Sequence, residues 1–321
     1  MTNEFSEKDV GRNILMKNYS TFHIGGSAQR FICVSTPDAV ISAIQYANKE
    51  RMPFFILGGG SNILFSDEGI QGLVIRIIGN SIERDGDIIT ASAGTSLGSA
   101  VAFARVNALA GLEWAAGIPG TIGGAVRGNA GAYGGQMVDS VLSVDVYDSA
   151  RGDRQEYSCR DCSFSYRSSI FKKNKNLVVL AVTLKLQRGN KDEISEKIGY
   201  ILEQRRKKIP ALPSIGSIFQ NIMNQGDIDT ILSREPDIRW RYEEQWGGKI
   251  AAGYLIEHSD LAREHVGDAA VSEQHANIIV NRGKATAEDV VRLITIIKKG
   301  VYEEYGVLLA EEIEFVGLKR G

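Results

Sequence analysis

Apolar residues recur along this chain with two periods, and the periods separate helices from strands. Val290, Leu293, Ile294, Ile297 and Val301 fall at helical spacing behind Thr286, a natural N-cap, and predict a long amphipathic helix. Ala39, Val40, Ala43, Ile44 and Ala47 give a second stripe, with Pro37 suited to the first helical position and Thr36 or Ser35 as cap. Further helices are expected from Leu97 to about Asn107 behind Ser96, over Asp192–Lys208, and over Ala251–Glu257. Between them, short apolar runs predict strands: RFICV from Arg30, then Phe54–Leu57, Ile63–Phe65, Leu73–Ile77, Ile88–Ala93, Val141–Tyr147, Leu177–Leu186, Asn277–Val280 and Ile313–Val316. Asp85-Gly86-Asp87 reads as a hairpin turn and Ser149–Asp153 as another turn. Residues 1–18 read as a loosely held arm. The pattern predicts an α+β chain in three parts, 1–80, 81–188 and 189–321.

Composition narrows the class. A chain of 321 residues, 43% hydrophobic and 24% charged, is an ordinary globular protein of more than one domain. Its formal charge of −2 gives no global attraction to nucleic acid or to an anionic membrane, so neither partner is expected. The RRKK run at Arg205–Lys208 ends a helix, where cations favour the dipole. The opening MTNEFSEKDVGRN has no signal-peptide core, no run reaches membrane-span length, and three cysteines make no disulfide framework. A cytoplasmic monomer is the expectation. Cys159-x-x-Cys162 lacks a second ligand pair, and His258, His265 and His275 lack metal spacing, so no metal site is expected.

Glycine is the abnormal count, at 35. Nine fall in the twenty-five residues Gly111–Gly135, GLEWAAGIPGTIGGAVRGNAGAYGG, where they cost helix and strand alike. A second cluster, Gly58-Gly59-Gly60-Ser61-Asn62, follows the strand Phe54–Leu57. GGGSNI fails the last position of a dinucleotide fingerprint, and the two Gly-Lys pairs lack the upstream glycine of a P-loop. Glycine-rich turns still present rows of backbone N–H groups that suit an anion. Two readings stay open on the glycines alone: tight packing of loop on loop, or a clasp for a phosphate-bearing cofactor. Ser61, Asn62, Thr121 and Asn129 supply hydrogen-bonding groups that favour the cofactor.

LGGGSNIL (Leu57–Leu64), GIPGTIGGA (Gly117–Ala125) and NAGAYGG (Asn129–Gly135) resemble the FAD-binding loops of the UDP-N-acetylenolpyruvoylglucosamine reductase family. The resemblance continues in order through YRSSIF (Tyr166–Phe171), GSIFQN (Gly216–Asn221), AGYLIE (Ala252–Glu257), VSEQHANIIVN (Val271–Asn281) and YGVLLAEEIEFVG (Tyr305–Gly317), over nearly the whole chain. It implies an FAD-binding domain of the vanillyl-alcohol-oxidase-like (PCMH-type) fold, made of lobes 1–80 and 81–188, and a C-terminal α+β domain, 189–321, for a UDP-sugar. NADPH would reduce the flavin, and the enolpyruvyl sugar would then be reduced to UDP-N-acetylmuramate. By the same resemblance Leu57, Gly58, Gly59, Gly60, Ser61, Asn62, Gly117, Thr121, Gly123, Gly124, Asn129 and Gly131 hold FAD.

Reduction of an enolpyruvyl ether needs a cation where negative charge develops and an acid to protonate the adjoining carbon. The resemblance assigns these roles to Arg167, to Ser217 as proton donor, and to Glu312 as the third catalytic group; Asn221 matches a substrate-binding asparagine, with Tyr166, Tyr254 and His275 as further substrate candidates. Fifty residues separate Arg167 from Ser217, which is similar to the family subtype without an extra substrate-covering loop. The chain departs from the family pattern in three places. Ile222 replaces a proline, Tyr254 replaces a lysine, and the stretch from about Asn224 to Gly248 is longer and carries Arg239, Trp240, Arg241 and Trp246. One of these arginines, or Lys249, is expected to replace the missing cation. Two alternatives remain at this stage: an FAD enzyme of the same superfamily with another substrate, and a flavin- or nucleotide-sugar-binding homologue without catalysis.

Overall fold

The structure is a computed structural model and describes residues 5–318. The chain divides into two compact units. The first takes the chain up to Ile14, then Ala28–Gly60 and Gln71–Arg206; the second takes Leu15–Ser27, Ser61–Ile70 and the chain from Lys207 onward.

The first unit holds two principal sheets. One has four strands in the order Gly11–Leu15, Ser27–Val34, Ile70–Ile77, Phe54–Leu57. Phe54–Leu57 runs parallel to its neighbour, pairing Phe54 with Leu73 and Leu57 with Arg76. The helix Pro37–Lys49 connects Ser27–Val34 to Phe54–Leu57 in sequence, opened by Thr36 as N-cap with Pro37 beside it. The other sheet is antiparallel, in the order Asp153–Ser158, Val141–Asp148, Leu177–Lys185, Ile88–Ser92, Ile82–Asp85. Buried Ala43, Ile44, Ile75, Val144, Val182 and Ile198 share one hydrophobic core. Ile198 comes from the helix Lys191–Lys208, whose Ile194, Ile198 and Ile201 are its buried positions.

The second unit is built on the helix Ala287–Tyr305. Its expected stripe, Val290, Leu293, Ile294, Ile297 and Val301, is buried, and Thr286 forms a capping box with Asp289. It packs with a three-stranded sheet, His265–Val266, Ala269–Ser272 and His275–Asn281. Ile63–Phe65 joins this unit by parallel pairing with Glu314–Val316.

Three expectations are corrected. Of the arm expected at 1–18, Gly11–Leu15 is an edge strand and Met16 is fully buried. An edge strand bonds to one neighbour only, so a mostly polar sequence suffices. The glycine-rich stretch, expected to resist regular structure, contains the helix Ile122–Gly128, with Thr121 as N-cap and Asn129 ending it at φ 42. Strong caps offset the glycine cost there. The strand Asp153–Ser158 has no apolar run and was not anticipated; it pairs with Val141–Asp148 on the sheet edge.

Candidate functional site

In the first unit the two glycine clusters lie against each other. A Cβ on Gly58 would stand 2.6 Å from Thr121 Oγ1, and one on Gly59 would stand 2.8 Å from Gly120 Cα. Both distances exclude a side chain, so bare backbone is required at each. Loop-on-loop packing is therefore one role of these glycines. The same residues also line a cleft of about 360 Å³, together with Arg76, Asn80, Ser96 and Ser99. Backbone on one side, hydroxyls and a guanidinium on the other, suits a phosphate-bearing group. Arg76, Asn80, Ser96 and Ser99 escaped the sequence reading. The available signal was Arg76 itself, a lone cation inside the apolar run Leu73–Ile78.

The structure thus brings Gly58, Gly59 and Thr121 together. Leu57 is fully buried beneath them, and Gly60 turns the chain at φ 65. Gly123 packs on Ala93, where a Cβ would stand 2.8 Å from that residue's Cβ, and Gly124 donates its N–H to Thr121 Oγ1. Gly117 adopts φ 72, and its carbonyl accepts from Arg205 Nε at 3.1 Å. Ser61 and Asn62 belong to the second unit, where Asn62 donates from Nδ2 to the Glu312 carbonyl at 3.3 Å.

Arg167 also belongs to the first unit, in the tight turn Ser165–Ser168. It sits at φ 53, a conformation an arginine keeps only when its surroundings dictate it. The surroundings are the glycine-rich stretch. Asn129 donates from Nδ2 to the Ser165 carbonyl at 3.0 Å and accepts the Val138 N–H at 3.1 Å. Ser169 donates to the Arg127 carbonyl at 2.7 Å, and Arg167 Nη2 donates to the Gly131 carbonyl at 2.8 Å. The guanidinium also lies 5.2 Å from the Tyr166 ring centroid. Nearby, Cys162 is fully buried, and burial pushes its thiol up to about 12, which removes thiolate reactivity.

In the second unit, the segment carrying Ser217 is threaded between two others. Ser217 bridges Ile278, and Phe219 bridges Glu311. The Glu312 N–H donates to the Ile218 carbonyl at 2.7 Å, so Ser217 and Glu312 sit on adjoining segments. Asn277 locks the segment through Nδ2 to the Phe219 carbonyl, 2.8 Å, and through the Phe219 N–H to its Oδ1, 2.9 Å. Glu311, the neighbour of Glu312, is paired with Lys298 at 2.7 Å. Asn221 Oδ1 accepts the Ala252 N–H at 3.3 Å, at the start of the short helix Ala252–His258. His275 Nδ1 accepts the Asn277 N–H at 3.3 Å; burial first, then Lys208, pulls its pKa below the ordinary value.

Tyr254, on that short helix, donates its hydroxyl to Glu235 Oε2 at 3.0 Å. Its ring stacks on His258 at 3.7 Å and lies 5.2 Å from Trp246. Burial and the Glu235 carboxylate push its hydroxyl up to about 12, so it remains a donor. Among the described residues no group of three His, Cys, Asp or Glu could hold a metal ion. No helix among them is long and apolar enough to cross a membrane.

Residues 28–158 match the family model described as "FAD binding domain", and residues 204–316 match that described as "UDP-N-acetylenolpyruvoylglucosamine reductase, C-terminal domain". The fold is that of an FAD-dependent oxidoreductase of α+β class, with an FAD-binding domain followed by a C-terminal domain. The UDP-N-acetylenolpyruvoylglucosamine reductase of Clostridium novyi (strain NT) is 37% identical over 313 residues, covering 97% of this chain and 93% of the relative. That of Caldanaerobacter subterraneus subsp. tengcongensis is 39% identical over 306 residues, covering 95% and 92%. The crystal structure of UDP-N-acetylenolpyruvylglucosamine reductase from Thermus caldophilus aligns with a TM-score of 0.76 at 32% identity, over 96% of this chain and 98% of that one. The chain belongs to the UDP-N-acetylenolpyruvoylglucosamine reductase family.

Proposed function

We propose that the protein reduces the enolpyruvyl ether of a UDP-N-acetylglucosamine substrate to UDP-N-acetylmuramate, with electrons from NADPH, in the cytoplasmic steps of peptidoglycan precursor synthesis. The observation that carries this reading is the strained turn at Arg167. The backbone of Arg167 is held at φ 53 and its guanidinium is tied to the Gly131 carbonyl, so the cation is positioned before a ligand arrives.

FAD would be held by Leu57–Asn62 and by Gly117, Thr121, Gly123, Gly124, Asn129 and Gly131, with Arg76, Ser96 and Ser99 added from the cleft. When bound and reduced, it supplies the hydride. Arg167 takes the substrate carboxylate and stabilises the negative charge that develops beside it. Ser217 then gives its hydroxyl proton to the adjoining carbon. A hydroxyl is a weak acid, so this step requires a strongly basic carbanion held close to it. Glu312, on the adjoining segment, balances charge and supports return of the proton to Ser217. Tyr166, Asn221, Tyr254 and His275 orient the substrate. His275 does so as a neutral imidazole, because burial disfavours its charged form.

The test is NADPH consumption that depends on added enolpyruvyl UDP-sugar, with the product identified by mass. Consumption without the sugar, or none with it, counts against the reading.

A further inference from the structure

The second unit carries an arginine whose placement none of these roles uses. Arg241 lies in a short turn of π-helical geometry, Arg241–Gln245, a rare conformation that recurs at functional sites. Its guanidinium carbon stands 5.5 Å from the Tyr254 ring centroid and 5.6 Å from that of Trp240. Two aromatic rings therefore lie within cation–π reach of the guanidinium. Among the described residues Arg241 makes no ion pair, whereas Arg239 is paired with Glu243 at 4.0 Å. Trp240 is itself 51% exposed, an unusual position for the largest aromatic side chain.

The support beneath this cation is built with care. Glu235 accepts from Tyr254 Oη at 3.0 Å and from Tyr305 Oη at 2.8 Å. Tyr305 is buried at the end of the helix Ala287–Tyr305. One carboxylate thus ties the Tyr254 ring to the main helix of the unit, while His258 stacks on the ring and Trp246 packs against it at a tilt. Glu235 accepts one hydroxyl at each oxygen and makes no ion pair with Arg241 among the described residues. On the same short helix, Ala252 is bonded to Asn221, which places this cluster beside the proposed substrate segment.

We propose that Arg241 binds the diphosphate of the nucleotide-sugar substrate, and that Glu235, through Tyr254, is its positioning residue. A planar guanidinium that makes no ion pair among the described residues can meet a phosphate by two parallel hydrogen bonds. The inference rests on the UDP-sugar reading above, and names which of the chain's cations meets the two phosphates.

The test compares wild type with Arg241→Ala and Arg241→Lys. FAD content and anaerobic flavin reduction by NADPH are measured first and should be unchanged in both. Arg241→Ala should raise KM for the enolpyruvyl UDP-sugar roughly 10- to 100-fold, the scale of lost charge-assisted hydrogen bonds, with kcat little altered. UDP binding, followed by calorimetry, should weaken by a similar factor while uridine binding stays constant, and Arg241→Lys should recover part of the loss. Equal KM in wild type and Arg241→Ala overturns the inference and leaves the proposed reaction standing. Equal weakening of UDP and uridine also overturns it, because a merely structural arginine would act on both. A protein that binds UDP through Arg241 but does not reduce the enolpyruvyl sugar supports the phosphate site and overturns the reaction.

Discussion

Arg167 and Gly131 are joined by a hydrogen bond of 2.8 Å from the arginine Nη2 to the glycine carbonyl. That bond links the proposed catalytic cation to the glycine-rich stretch that also lines the proposed cofactor cleft. The side chain at Arg167 and the backbone at Gly131 therefore hold each other in place, and hydrogen bonds of Asn129 and Ser169 brace the turn that keeps Arg167 at φ 53.

Arg167→Ala should leave flavin reduction by NADPH intact and slow reoxidation by the enolpyruvyl sugar by about 10²- to 10³-fold, the scale of one lost transition-state donor. Arg167→Lys keeps a charge but loses the fork, and should recover only part of the rate. Rapid-mixing of the two half-reactions separates these outcomes.

Gly59→Ala should lose FAD. The added methyl would stand 2.8 Å from Gly120 Cα, so one backbone loop must retreat from the other and the cleft must change shape. Overpacking of this kind costs about 1–3 kcal/mol. The expected result is flavin affinity at least roughly tenfold weaker, read by flavin fluorescence on titration of the apoprotein.

His275 sets a pH dependence of stability. Its folded pKa is depressed, so just below the ordinary value of about 6.5 the unfolded chain binds a proton that the folded chain does not. Stability should therefore fall as pH drops through and below about 6.5, and recover as pH rises. His275→Gln should flatten that part of the profile, measured as midpoint of thermal unfolding against pH.

Much of the fold was legible because apolar spacing and capping chemistry agree locally. The stripe Val290 to Val301 behind Thr286, and the run Phe54–Leu57 before its glycines, appear where their patterns place them. What stayed illegible was set by contacts distant in sequence. Asp153–Ser158 is a strand because Val141–Asp148 offers it a ladder, and no apolar alternation announces it. The helix Ile122–Gly128 forms from a glycine-rich segment because Thr121 and Asn129 cap it.

The site divides the same way. The motifs around Gly58 and Thr121 named residues that do meet, since Gly58 requires the space beside Thr121. Arg76, Ser96 and Ser99 join the cleft only through sheet order and helix position, which no local pattern records. The support of Tyr254 by Glu235 and Tyr305 links three segments across the second unit, and the sequence offers no cue to it.

The proposed flavin cleft and Arg167, Ser217 and Glu312 are proposed to serve one reduction. The most direct measurement is anaerobic: bleach the bound flavin with NADPH, add the enolpyruvyl UDP-sugar, and follow the return of the oxidised flavin spectrum. Prompt reoxidation with one UDP-N-acetylmuramate formed per flavin is expected, and the reoxidation should be slowed strongly in Ser217→Ala. A flavin that stays reduced after the sugar is added would contradict the account.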